Sequence, residues 1–148
     1  MKNSLILLFL AFSACSSDII IKPANFSWPI EAVVKADLNG KVEIQRYSIQ
    51  LNTKPIFFQE FADSNSVEGK EIRMIRDEKG YYYFYAENFS NVYVLSATAG
   101  GFKLEKKILI PEANVKSIAF NQKTPYIEIL TKNNKFLINN LGLAEKSR

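Results

Sequence analysis

Acids three residues apart occur twice in the sequence, as Glu60 with Asp63 and as Glu68 with Glu71. Two suitably placed carboxyls suffice for general acid–base chemistry, one giving a proton while the other takes one. Nothing else marks either pair, and loop charges of this kind are ordinarily solvated, so neither is assigned a role. The stretch DSNSVEG, residues 63–69, has oxygen ligands at alternate positions, the composition of a calcium loop. It lacks the further acids and the glycine placement of an EF-hand and reads as a polar loop. Histidine is absent from the chain, which excludes Ser–His–Asp and Cys–His machinery and the common zinc sites, all of which use imidazole. The six glycines are scattered, with no phosphate-cradling loop among them. The expectation is a protein without catalytic residues, metal or cofactor.

Two features remain that could carry function. One is the single cysteine, Cys15. The other is the run YYYFY, residues 81–85. In a strand Tyr81, Tyr83 and Tyr85 face one side and Tyr82 and Phe84 the other. One set packs in the core. The other is either an exposed stripe, which would be a recognition surface for a ligand such as glycan or lipid, or is buried as well, as in a strand covered on both faces. Tyr81, Tyr83 and Tyr85 are therefore the candidate ligand or partner surface. Trp28, the only tryptophan, is either an interface anchor or the first aromatic of the core.

The elements that must position these residues read as strands. The aromatic content of 13 % is high, and aromatic and β-branched residues suit pleated, half-buried surfaces. About ten short strands are expected, including FKLEKKILIP and PIFFQEF, in an all-β antiparallel meander. The best helix candidate is residues 54–62, where Ile56, Phe57, Phe58 and Phe61 would form one apolar side. Three stretches share a strand–turn–strand pattern: VVKADLNGKVEI from Val33, RMIRDEKGYYYF from Arg73 and SIAFNQKTPYIEI from Ser117. Their turns begin at Asp37, Asp77 and Asn121, and Gly40 and Gly80 end the first two, as tight hairpins require. Thr124-Pro125 replaces the glycine in the third, and Pro125 suggests a strand start or an edge. Downstream, residues 91–94 correspond to residues 135–138.

Periods near forty built on a strand–turn–strand core resemble the blades of β-propellers. The resemblance covers most of the chain after its first residues, without a WD dipeptide or kelch glycine pair. A propeller needs about four blades, and the length holds about three. It implies either an open propeller-like stack, complete in itself or part of an oligomeric ring, or a plain meander closed into a sandwich or barrel.

The start of the chain concerns address. Lys2 gives a positive flank, residues 5–12 are eight consecutive apolar residues, and Ser13 and Ala14 are small. This is the layout of a secretory signal, too short to cross about 30 Å of hydrocarbon as a helix. The four residues Phe12-Ser13-Ala14-Cys15 resemble the lipobox of bacterial lipoproteins, usually Leu, then Ala or Ser, then Gly or Ala, then Cys. Three positions match, and Phe12 stands in place of Leu. The resemblance implies a diacylglyceryl thioether on Cys15, cleavage before it and, usually, acylation of the new amino group; such a cysteine is not a nucleophile. Ser16, rather than Asp, implies the outer membrane. The rival reading is ordinary cleavage after Ser16, with Ala14 and Ser16 at the small positions and a secreted product.

On this reading residues 1–14 are a signal peptide, 15–27 the lipid anchor and a short tether, and 28–148 a single β-rich domain. Removing residues 1–14 leaves 148 − 14 = 134 residues with 18 Lys plus Arg against 15 Asp plus Glu, an excess of 3. That excess is too small to indicate nucleic acid. The densest basic cluster, Lys103, Lys106 and Lys107, reads as a solvated strand face. The expected partners are a membrane through the anchor and another envelope protein.

Overall fold

The computed structural model describes residues 26–144. They form eleven strands, one α-helix and two short 3-10 turns, so the domain is all-β and antiparallel throughout, as the composition implied. Strands β1 (Ala32–Lys35), β4 (Glu71–Arg76), β5 (Tyr81–Ala86), β6 (Asn91–Thr98) and β7 (Gly101–Leu109) make a five-stranded sheet in the order β1-β4-β5-β6-β7. Strands β8 (Ala119–Lys123), β9 (Tyr126–Leu130), β10 (Lys135–Asn139) and β11 (Gly142–Leu143) make a four-stranded meander, and β2 (Lys41–Ile44) pairs with β3 (Ile49–Asn52).

Two of the three expected repeats are thus four-strand meanders in chain order, β4 to β7 and β8 to β11. They are tied together at matching strands. The Gln122 amide on β8 donates to the Arg76 carbonyl on β4 at 2.7 Å, and Lys106 on β7 donates to the Leu141 carbonyl beside β11. Glu31 joins the same elements, taking Arg73 of β4 at 2.5 Å and the Phe120 N–H of β8 at 2.9 Å. The first unit departs from this plan. Its β1 pairs with β4 rather than completing a meander with β2 and β3. PIFFQEF, counted among the strands, is instead most of helix α1 (Lys54–Phe61).

The helix prevails there for local reasons. Pro55 lies in the first turn, where its missing N–H costs nothing. Ala62 ends the helix in the left-handed region with its N–H on the Phe58 carbonyl. Ile56 and Phe57 are buried and Phe61 packs on Phe57 and Phe89, but Phe58 points to solvent, so the apolar side is narrower than its four residues suggested.

The first two turns are built alike. Asp37 takes the N–H groups of Asn39 and Lys41 on one carboxylate oxygen, each at 2.8 Å, and Asp77 takes the Tyr81 N–H at 2.9 Å. Gly40 and Gly80 have φ of +74° and +91°, which a side chain resists. The third turn does not start at Asn121. That residue lies within β8, opposite Glu128, and the turn is Thr124-Pro125, immediately before β9. Gly40 meets a second constraint, because a Cβ there would come within 2.7 Å of Lys54 Cγ and 3.1 Å of Val67 Cγ1. Gly40→Ala is expected to cost about 1–2 kcal/mol in urea unfolding. Gly100→Ala, at a glycine with open space and no positive φ, is expected to be neutral. Equal effects would refute the account.

One hydrophobic core runs through all three sheets, from Trp28 to Ile138. In β9 and β10 burial alternates, with Ile127, Ile129, Phe136 and Ile138 facing inward, as for strands covered on one face. In β5 and β6 it is continuous over Tyr83, Phe84, Tyr85, Ala86 and then Val92, Tyr93, Val94, Leu95. The centre of the large sheet is covered on both faces. Its outer strand β7 is largely exposed and carries Lys103, Lys106 and Lys107, charges that discourage further strand pairing.

Candidate functional site

The tyrosine run forms the predicted strand but not the predicted surface. β5 lies third in a five-stranded sheet, and from Tyr83 to Ala86 it is buried on both faces. Tyr83 and Tyr85 are 0 % and 1 % exposed and Tyr81 is half-buried. The candidate surface of Tyr81, Tyr83 and Tyr85 is therefore corrected: two of the three are core residues whose hydroxyls are engaged inside the fold. The Tyr83 hydroxyl donates to Asp77 at 2.9 Å and the Tyr85 hydroxyl to the Val115 carbonyl at 3.4 Å. Burial raises both phenols well above their ordinary range. The Asp77 carboxylate adds to this at Tyr83, as do Glu60 and Glu87 at Tyr85.

The carboxylates are likewise occupied. Glu60, at the end of α1, accepts from the Ser90 N–H at 2.5 Å, the Asn91 amide at 2.9 Å and the Tyr93 hydroxyl at 2.6 Å. This clamps the helix onto the start of β6. Burial, reinforced by this hydrogen bond, raises the Tyr93 phenol. Asp63 accepts the Asn65 N–H at 2.9 Å within the polar loop, and Glu71 pairs with Arg73 at 2.7 Å. Among the described residues no three carboxylate or cysteine groups gather as a metal set, and no helix is long and apolar enough to cross a membrane. The β7 lysines reach inward or sideways: Lys107 donates to the Gln59 carbonyl at 2.8 Å, and Lys103 pairs with Glu105 at 3.2 Å.

A cleft of about 410 Å³ at one end of the large sheet was not anticipated from the sequence. Its wall is a continuous run of rings. Trp28 stacks on Tyr47 with centroids 3.7 Å apart and planes 6° from parallel, and meets the edge of Tyr82 at 5.6 Å. Two guanidinium groups lie against these rings: Arg46 is 5.5 Å from the Tyr47 ring, and Arg76 is 5.5 Å from Tyr82 and 5.3 Å from Phe26. Trp28 is 1 % exposed, so of its two readings the core aromatic holds, although one edge of it lines this cleft. The contributing residues come from the segment before β1, the 3-10 turn Gln45–Tyr47, the end of β4 and the second residue of β5. No local spacing joins positions 28, 46, 76 and 82, so only the chain path reveals the cleft.

A larger hollow of about 560 Å³ lies under the loop joining β7 to β8. Glu112 on that loop braces the β9–β10 turn, accepting from Thr131 at 2.5 Å, Asn134 at 2.9 Å and Asn133 at 3.1 Å. The Thr131 bond first, then that of Asn134, hold its carboxyl below the usual range. Cys15, the expected lipid attachment, lies outside the described residues.

Comparison with protein-family models, with curated proteins and with solved structures finds no match.

Proposed function

We propose that the chain is a bacterial cell-envelope lipoprotein, exported by its leader, cut before Cys15 and held at the outer membrane by acyl chains on that cysteine. Its β-rich domain serves as a non-enzymatic module that contacts another envelope protein. The observation that carries this reading is the sequence Phe12-Ser13-Ala14-Cys15, which places the only cysteine of the chain directly after an apolar signal. One acyl chain holds a protein at a bilayer marginally, whereas two or more hold it stably. A lone cysteine at that junction has a use, where an unpaired thiol elsewhere in an oxidising compartment is a liability.

The distance from the anchor supports an interaction role close to the membrane. From Cys15 to Phe26 is 26 − 15 = 11 residues, which span at most about 40 Å whatever their conformation. The domain then stays within roughly one domain diameter of the bilayer. The alternative module, reading glycan or lipid through Tyr81, Tyr83 and Tyr85, has lost its support because Tyr83 and Tyr85 are in the core.

The test is the intact mass of the native protein recovered from the producing cell's membranes. The expected mass is that of residues 15–148 plus acyl chains, with the acyl increment absent from Cys15→Ser. A bare chain beginning at Ser17 would replace the lipoprotein with a secreted protein.

A further inference from the structure

We infer that the cleft walled by Phe26, Trp28, Tyr47 and Tyr82 and lined by Arg46 and Arg76 is a binding site for a small phosphate ester. The phosphate would sit against the guanidinium groups and its organic group on the rings.

Three observations carry this. The first is the charge of the cleft. Among the described residues three arginines are present, and only Arg73 is paired with acids, meeting both Glu31 and Glu71. Arg46 and Arg76, the two that line the cleft, make no ion pair among those residues, and no carboxylate lines it. Both therefore bring unneutralised positive charge to the cleft wall, Arg76 while donating to the Phe26 carbonyl, and such charge favours an anion there.

The second is a set of donors left over. The Tyr47 hydroxyl and Arg76 Nε are buried and have no hydrogen-bond partner among the described residues. Buried donors are nearly always satisfied, and these two belong to residues of the same cleft. Stacking of arginine on rings accounts for where the guanidinium groups lie, but it satisfies neither donor. Both atoms are enclosed, so an anion in the cleft would reach them only as the side chains move; the exposed fork of Arg46 is open to it directly. A phosphate ester offers charged acceptor oxygens to such donors, three in a monoester and two in a diester.

The third is the wall itself. A ring stack that presents Trp28, Tyr47 and Tyr82 beside the charged groups suits a planar or short apolar group attached to the anion. A soluble aryl phosphate and the headgroup of a phospholipid share this chemistry.

Trp28 is the only tryptophan, and one edge of it lines the cleft, so its emission can follow binding there. The purified full chain would be titrated with phenyl phosphate and with glycerophosphoglycerol, the deacylated headgroup of phosphatidylglycerol, following both Trp28 emission and heat. Phenol is the control for ring stacking without the anion. Saturable binding of either phosphate is expected, and which of them binds more tightly distinguishes a soluble ester from a lipid headgroup. Arg46→Gln should weaken that binding about ten- to a hundredfold, the cost of a lost charged hydrogen bond. Arg46 is exposed on the turn, so this variant should keep the circular dichroism and thermal midpoint of the parent, which Arg76→Gln need not. Absence of both heat and emission change with either phosphate up to ~10 mM, tenfold weaker than millimolar binding, would overturn the assignment. So would phenol binding as tightly as phenyl phosphate, or undiminished binding by a folded Arg46→Gln.

Discussion

Phe89→Ala is expected to destabilise the domain by about 3–5 kcal/mol, the cost of deleting a fully enclosed aromatic ring. Phe89 is 0 % exposed and stands where the helix meets the large sheet. Its ring centroid lies 4.9 Å from Phe57 and 5.4 Å from Phe61, both on α1. It lies 5.5 Å from Tyr93 of β6, and 6.0 and 6.2 Å from Tyr85 and Phe84 of β5. Five rings lose a neighbour together, and the backbone is too well fixed to close the gap. The Phe89 N–H is bonded to the Ala86 carbonyl at 3.0 Å, and the preceding Asn88 N–H to the Lys116 carbonyl at 3.0 Å. Against the 5–15 kcal/mol that holds a typical domain together, that loss is a large share. Phe58→Ala is the matched control, because Phe58 is on the same helix but 57 % exposed; about 0.5 kcal/mol or less is expected there. Urea unfolding of both variants decides the matter, and similar costs would mean that the ring cluster is not the keystone of the core.

The contrast between Phe58 and Phe89 shows what the sequence could and could not convey. Turn chemistry was legible, because it is local: an aspartate that accepts the N–H four residues on, followed by a glycine with positive φ, is written into Asp37–Gly40 and again into Asp77–Gly80 as adjacent letters. The strands flanking those turns followed, as did the correspondence between the third strands β6 and β10. Where the local rule weakened, the reading slipped. With no glycine near Asn121, the end of β8 was not marked, and the turn begins three residues further on, at Thr124. PIFFQEF carries as many aromatics as a strand would, and the helix won through Pro55 and the Ala62 cap rather than through an apolar stripe.

Burial was less legible than pairing. YYYFY gave its alternation correctly, yet alternation is silent about whether the second face is covered. That depends on β5 being central in its sheet and on α1 and the β8–β11 meander arriving from distant parts of the chain. The Arg46–Arg76 cleft was hidden for the same reason. Each arginine is unremarkable among its neighbours in sequence, and only the ring run from Tyr47 through Trp28 to Tyr82 brings the two to one space. The address in residues 12–15 is the opposite case, a signal read as linear sequence, which needs no fold to be legible.

The same buried rings make the domain sensitive to alkali. Tyr83, Tyr85 and Tyr93 each have a phenol raised above its ordinary value near 10, chiefly by burial and then by nearby carboxylates. A raised folded value means that the folded state holds its proton where the unfolded chain has lost it. The contribution of these groups is therefore present in full below pH 10 and falls as pH rises beyond it, while the unfolded chain releases protons and the folded chain does not. Each phenol adds about 1.4 kcal/mol per pH unit to that fall. With three acting together the free energy of unfolding should drop by about 4 kcal/mol per unit above pH 10, which consumes an ordinary domain's stability within two or three units. Urea midpoints measured from pH 9 upward should be flat and then descend. Tyr93→Phe tests the attribution. It gives up the hydrogen bond to Glu60 and so lowers stability at neutral pH by about 1 kcal/mol, but it removes one of the three titrating groups, and the alkaline slope should shrink by about a third. An unchanged slope in Tyr93→Phe would show that these phenols are not held neutral by their burial.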